Sequence, residues 1–260
     1  MGVLEVPYVE WNEGASRLKA SRGSDGRQVG GGQRGTIKGF SAESRRRLLQ
    51  TIACVGRDAP LPVFVTLTYP ERFPSPQEAK RDLKIFHQRL VRAFSGVGVI
   101  HKLEPQERGA PHFHSLMWGV GWDELYQLIP DAWFEIAGQG DINHWKFRKG
   151  LLHPYRRCVE PVRSFKGVWF YAAKYLGKTF EIQGWDWPGR FWGVINRQNI
   201  PFGKFRAALV DEQLLNDVLR YGRRFADLPW RHQGTTIFCD ADQWVQKLKI
   251  TAENARAEQI

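Results

Sequence analysis

The segment Val63-Phe64-Val65-Thr66-Leu67-Thr68-Tyr69 constrains this chain more than any other. It is mostly β-branched and aromatic, it is bounded by Pro62 and Pro70, and it is too short for a helix of ordinary length. A central strand is the expectation. Downstream, Ser75-Pro76-Gln77-Glu78 supplies an N-cap, a proline at the first helical position and a glutamate at the third, and Ala79, Leu83, Phe86, Leu90 and Phe94 follow at helical spacing. Residues 97–104 and 112–119 then read as two strands joined by the polar turn 105–111, a hairpin.

Weaker signals fill in the rest. A helix is expected over 41–56, with Ser41 as N-cap and Gly56 as terminator, and another over 123–137, ending at Gly138. A loop containing Gly, Asn and His leads to a weak strand near 158–162, and a strong helical pattern covers 165–180. Beyond the turn 185–189, a short aromatic strand is expected over 190–195. A helix at 211–224, a strand at 235–239 and a last helix opened by Asp240 complete the chain. This order predicts an α+β fold in which a central antiparallel sheet carries helices packed on one side. The expected organisation is an N-terminal extension over 1–59, with a Gly-rich basic linker at 22–39 and one helix, then a main domain over 60–200 and a helical C-terminal extension over 201–260.

Lys and Arg number 38 against 27 Asp and Glu, so a net charge of +11 calls for a polyanionic partner, and nucleic acid is the first to consider. A hydrophobic content of 42% is enough for a full core and excludes wholesale disorder. Cys54, Cys158 and Cys239 lie far apart, which excludes a zinc ribbon and argues against a disulfide framework, so a reducing cytoplasm is expected. The start has no basic segment followed by an apolar one, and no apolar run approaches membrane-spanning length. Neither export nor a membrane partner is expected.

Two constellations could carry chemistry. In His112-Phe113-His114 the period of two puts both imidazoles on one face of a strand, and the hairpin would set the Glu104 carboxylate across from His112. Two imidazoles and one carboxylate with open positions suit Mg²⁺ or Mn²⁺ better than a closed zinc site; the alternative is a pair of structural histidines hydrogen-bonded in the sheet. Further on, Tyr171, Lys174, Tyr175 and Lys178 share one helical face, so each tyrosine has a lysine three residues on to stabilise a phenolate. The alternative is that the tyrosines rim the core beside solvated lysines. The overlapping pattern from Ala172 to Gly177-Lys178-Thr179 imitates a phosphate loop, but its interior is helix-compatible and has no glycine, so ATP binding is not expected.

The blocks Phe64-Val65-Thr66-Leu67-Thr68, Pro111-His112-Phe113-His114-Ser115-Leu116 and Tyr171-Ala172-Ala173-Lys174-Tyr175-Leu176-Gly177-Lys178 together resemble the three motifs of the HUH endonucleases, in the family's order and spacing. The paired tyrosines are similar to those of two-tyrosine rolling-circle replication initiators of microviruses, and the surroundings resemble replication proteins of filamentous phages and plasmids. The likeness covers about residues 60–200. It implies an RRM-like palm, a divalent ion held by His112, His114 and a third ligand in the place of Glu104, and attack on single-stranded origin DNA by Tyr171 or Tyr175. The product would be a 5′-phosphotyrosine link that later allows rejoining. Relaxases usually place the tyrosine before the histidines, and HUH transposases are usually shorter with one tyrosine; both fit less well. A noncatalytic nucleic-acid-binding protein is the alternative from another class.

Substrate binding is expected along Lys102, Arg108, Arg156, Arg157, Arg163, Lys166, Arg190 and Arg197, with Arg108 and Arg190 as phosphate contacts and Trp192 or Trp187 stacking on unpaired bases. Thr66 and Thr68 are expected to support the sheet beneath the site, with contact to DNA as the alternative. With no helicase signature in the chain, unwinding would fall to a host helicase and synthesis to a host polymerase.

Overall fold

The computed structural model of the protein describes residues 8–11, 16–19, 39–56, 58–164, 168, 180–181, 185, 189–203, 206–209 and 235–237. Several expectations therefore lie outside the described residues. These are the linker up to residue 38, almost all of the 165–180 helix with Tyr171, Lys174, Tyr175 and Lys178, the helices at 211–224 and after Asp240, and Lys166 and Trp187.

The chain divides into two compact units. In one, built from Met1–Arg34, Ala53–Asp58 and Phe202–Ile260, strands β1 (Tyr8–Trp11), β2 (Ser16–Lys19), β10 (Arg206–Leu209) and β11 (Thr235–Ile237) form an antiparallel sheet in the order β10-β1-β2-β11. Val55 bridges Phe202 in the same unit, and Gly203 N–H donates to the Cys54 carbonyl at 2.8 Å.

The other unit, Gly35–Ile52 and Ala59–Pro201, holds the site. Its five-stranded antiparallel sheet runs β7-β4-β6-β5-β9, and four helices complete an α+β fold, as expected. The strands are β4 (Val63–Thr68), β5 (Gly98–Pro105), β6 (Pro111–Trp118), β7 (Val159–Pro161) and β9 (Trp192–Ile195). A two-residue ladder, β3 (Gly39–Phe40) with β8 (Phe180–Glu181), was not foreseen. β6 lies at the centre because the hairpin pairs it with β5 while β4 takes its other edge. The helix after β4, α2 (Pro76–Ala93), starts as its sequence dictates: Ser75 Oγ accepts from Glu78 N–H, and the Glu78 carboxylate accepts from Ser75 N–H.

Alternation along β6 sends Phe113, Ser115 and Met117 to one face and His112, His114 and Leu116 to the other. The Phe113 face is covered by α2 and by α3 (Trp122–Ala137). There Trp133 of α3 meets Phe86, Tyr69 and Phe113 edge-on, with ring centroids 5.8, 5.3 and 6.1 Å apart. Burying side chains of this size contributes about 1.5–3 kcal/mol each. The opposite face is not bare, contrary to the one-sided covering expected. Phe40 lies under the Lys102 ammonium, and α1 (Ala42–Ala53) brings Ser44 to the Trp192 indole.

One helix contradicts the sequence reading. The stretch expected to be a loop contains α4 (Ile142–Lys149), capped by the Asp141 carboxylate, which accepts from His144 N–H at 2.9 Å, and ended by Gly150 at φ +82°. No residue of α4 is fully buried, so the apolar periodicity that announces a helix is missing from its sequence.

Candidate metal centre

The pairing register builds the site. His112 faces Thr68 on one side and Glu104 on the other, and His114 faces Thr66 and Lys102, so six polar side chains share one patch of one sheet face. The hairpin register predicted from sequence, with Glu104 across from His112, is the one observed.

Within the patch, His114 Nε2 lies 3.0 Å from Glu104 Oε1, and His114 Nδ1 lies 3.3 Å from the Thr66 hydroxyl. Phe64 stacks on the His114 ring at 5.4 Å and fixes its plane. The other carboxylate oxygen, Glu104 Oε2, accepts from the Lys102 ammonium at 2.9 Å, and Lys102 is fully buried. Burial alone would raise the Glu104 carboxyl. The hydrogen bond and charge of His114, helped by Lys102, outweigh burial and hold it at about 2. It is a carboxylate at neutral pH.

His112 differs from its neighbour. Its Nε2 is shut off from solvent and makes no hydrogen bond, although its ring is only 4.3 Å from that of His114. Desolvation, reinforced by the nearby His114, pushes its pKa down to about 3, so the ring is neutral and its lone pair is open. The ligand atoms of Glu104, His112 and His114 all lie within 4.8 Å of one another. Octahedral ligands at about 2.1 Å from an ion stand about 3–4 Å apart, so the cluster fits a divalent ion after slight closure. The buried His112 Nε2, which has no hydrogen-bond partner, is a group such an ion could satisfy. The Thr66 hydroxyl can accept from Nδ1–H and so leave His114 Nε2 as a ligand, the outer contact metal-bound imidazoles usually have.

Supports outside the cluster were not read from the sequence. His144 of α4 places Nε2 3.0 Å from the Thr68 hydroxyl, and burial lowers its pKa to about 4. Arg148, also on α4 and mostly buried, donates to the Thr66 carbonyl at 2.8 Å, while Trp133 Nε1 donates to the Thr68 carbonyl at 2.7 Å. Thr66 and Thr68 thus support the site through both backbone and side chain. Lys102, read only as a groove cation, is the direct partner of Glu104; a lysine and a glutamate two apart on one strand were the available signal. No sequence signal marked His144, since its helix was itself unforeseen.

The expected DNA contacts are placed as follows. Arg108 is bound to protein: its guanidinium donates to the carbonyls of Pro70 at 2.7 Å and Tyr69 at 2.7 Å, tying the hairpin turn to the segment after β4. Arg190 is exposed, and its carbonyl accepts from the Lys80 ammonium. Trp192 is half-buried beside Lys102 on the site face, with its indole N–H donating to Ser44 Oγ at 3.1 Å.

Residues 62–180 match the family described as replication-associated protein ORF2/G2P. The chain is 32% identical over 107 residues to "Putative replication protein PDa0002" of Xylella fastidiosa (strain Temecula1), a match covering 40% of each chain. It is 28% identical over 176 residues to "Putative replication protein XF_b0001" of Xylella fastidiosa (strain 9a5c), covering 62% of this chain and 57% of that one. The chain thus spans about half the length of the curated relatives it matches. No solved structure matches it. These similarities support a replication-associated role. Among the described residues, no helix is long and apolar enough to cross a membrane.

Proposed function

We propose that the chain is a rolling-circle replication initiator that nicks and rejoins single-stranded origin DNA through a covalent 5′-phosphotyrosine. The single observation that carries this reading is the Glu104, His112 and His114 cluster, with its orphaned His112 Nε2, inside the region similar to replication-associated proteins. Glu104, His112 and His114 would hold a divalent ion, and two imidazoles make Mn²⁺ the better fit than Mg²⁺. Once bound, the ion would supply Lewis-acid polarisation of the scissile phosphate.

The chain's own groups do the rest. Lys102 keeps Glu104 ionised and aimed, and Thr66 and Phe64 hold the His114 ring. The phenolate oxygen of Tyr171 or Tyr175, favoured by Lys174 or Lys178, forms a bond to phosphorus as the bond from phosphorus to the 3′ oxygen breaks; that oxygen leaves and takes up a proton. The phosphodiester energy stays in the phosphotyrosine, so ATP has no role. A 3′ hydroxyl reverses the step and rejoins the strand. The second tyrosine allows a second cut while the first end is held. A reducing host cytoplasm, a host helicase and a host polymerase complete the reading.

The test uses the full chain and a labelled pool of single-stranded hairpins, with Mn²⁺ or with EDTA. A Mn²⁺-dependent protein–DNA adduct is expected. Tyr171→Phe and Tyr175→Phe should each reduce multiple turnover, and only the double variant should abolish the adduct. An adduct surviving in the double variant overturns the tyrosine assignment. Tight binding without any adduct makes the protein a noncatalytic nucleic-acid binder instead.

A further inference from the structure

The segment 146–163 carries six basic residues, Lys146, Arg148, Lys149, Arg156, Arg157 and Arg163, against the single acid Glu160. Its chain is held rigidly. Gly150, at φ +82°, closes α4, and a single 3₁₀ turn, Pro154–Arg156, follows, with Arg156 N–H donating to the His153 carbonyl at 2.9 Å. Cys158 N–H then donates to the Arg148 carbonyl at 2.7 Å, and the chain enters β7.

On this fixed turn stands Tyr155, which is 93% exposed. Nothing in the packing of the unit requires an aromatic ring there. Beside it runs a groove of about 310 Å³ lined by Pro154, Tyr155, Arg157, Glu160, Pro161 and Arg163. Arg157 is pre-positioned, its guanidinium lying 5.3 Å from the Trp122 ring centroid, and Trp122 is in turn stacked on Tyr126 at 5.1 Å. A guanidinium held over an aromatic face still presents N–H groups to an anion. Tyr126 is anchored by its hydroxyl, which donates to the Lys149 carbonyl at 2.8 Å.

We propose that this groove is a subsite for an unpaired nucleotide of single-stranded DNA, with Tyr155 stacking on the base and Arg157 and Arg163 taking the flanking phosphates. An exposed aromatic ring next to fixed cations is the combination that binds single strands without sequence preference. Bases inside a duplex are already stacked on each other and offer no open face to a lone ring. The Glu160 carboxylate accepts but cannot donate, so it repels phosphate and keeps the backbone on the arginine side. The subsite deepens the nicking reading and rests on it for the identity of the strand.

The experiment uses the full chain, fluorescein-labelled oligo(dT), EDTA to prevent cleavage, and anisotropy over a salt series. Tyr155→Ala should weaken binding on the order of tenfold without changing the salt slope, and Tyr155→Phe should retain binding. Arg157→Ala with Arg163→Ala should lower the magnitude of the salt slope by about one unit. Because Tyr155 is almost wholly exposed, its replacement leaves the fold intact, which circular dichroism checks. Unchanged oligo(dT) affinity in Tyr155→Ala overturns the subsite, as does Tyr155→Phe binding as weakly as Tyr155→Ala, or an equal loss on a labelled duplex. Adduct formation on the hairpin pool separates the two ideas. Tyr155-dependent binding in a protein that never forms an adduct overturns nicking and supports the subsite, and adducts with Tyr155-independent binding do the reverse.

Discussion

Two pairs of histidines sit on opposite faces of the same sheet, and they have been given different surroundings. His112 and His114 face Glu104, Thr66 and Lys102. On the other face His101 of β5 meets His87 of α2 with ring centroids 4.9 Å apart; His87 is buried and His101 half-buried, and His87 Nε2 and His101 Nδ1, both shut off from solvent, make no hydrogen bond. Burial depresses both pKa values, that of His87 to about 4 and that of His101 well below the ordinary histidine range, with the neighbouring ring and Lys80 adding to the effect on His101. Each pair therefore contains a neutral imidazole with an unpaired ring nitrogen out of water. What separates them is the carboxylate. Glu104 adds a negative charge and a third ligand to one pair, while no cluster of three ligating groups forms around the other among the described residues. Neutral, desolvated histidines alone thus do not make a three-ligand cluster; a carboxylate held in register beside them completes one.

The largest expected difference is in chemistry. His112→Ala or His114→Ala should lower Mn²⁺-dependent adduct formation by about a thousandfold, the order seen when a group stabilising transition-state charge is removed. His87→Leu should leave the rate within a few-fold in the same gel assay. Equal losses in both pairs would erase the distinction drawn between them.

Acid should act on both pairs alike, in stability, because burial depresses His112 at least as far as His87. His87 binds its proton at about 4 when folded and near 6.5 when unfolded, so the unfolded chain gains protons first as pH falls. The contribution of His87 to stability is therefore full above about pH 6.5 and falls by about 3 kcal/mol as pH drops through about 4. Urea midpoints at pH 7, 5.5 and 4.5 should show this slope added to those of His112, His101 and His144, and His87→Leu should remove its own share. A slope untouched by that change would place the acid sensitivity elsewhere.

A smaller effect tests the packing of the second pair. A Cβ on Gly193 would come within 2.8 Å of His101 Cε1, so Gly193→Ala should cost about 1–3 kcal/mol in thermal unfolding. Adding His101→Ala should recover most of that loss. If it does not, the glycine serves some purpose other than room for the ring.

The cluster of Glu104, His112 and His114 could be read from sequence because it lies within one hairpin. A period of two and a turn of known length fix which residues meet, so Glu104 and the two histidines follow from local pattern alone. The capping box of α2 is equally local. What escaped depends on contacts between distant segments. The helix α4 has no buried stripe, so His144 and Arg148 could be placed only by the fold that carries them to β4. Arg108 reads as a phosphate contact by charge, yet its guanidinium is engaged by carbonyls some forty residues earlier, including those of Tyr69 and Pro70. Charge predicts that a cation exists, not what it will hold.

The short length of β7 has one more consequence. Its pairing with β4 ends before the site, and strands left open in this way invite other strands to add to them, from a second copy of the chain or from a misfolded one. The two carbonyls such a strand would seek, on Thr66 and Thr68, are already taken by Arg148 and Trp133. The edge beside the histidines is thereby protected from intermolecular strand addition.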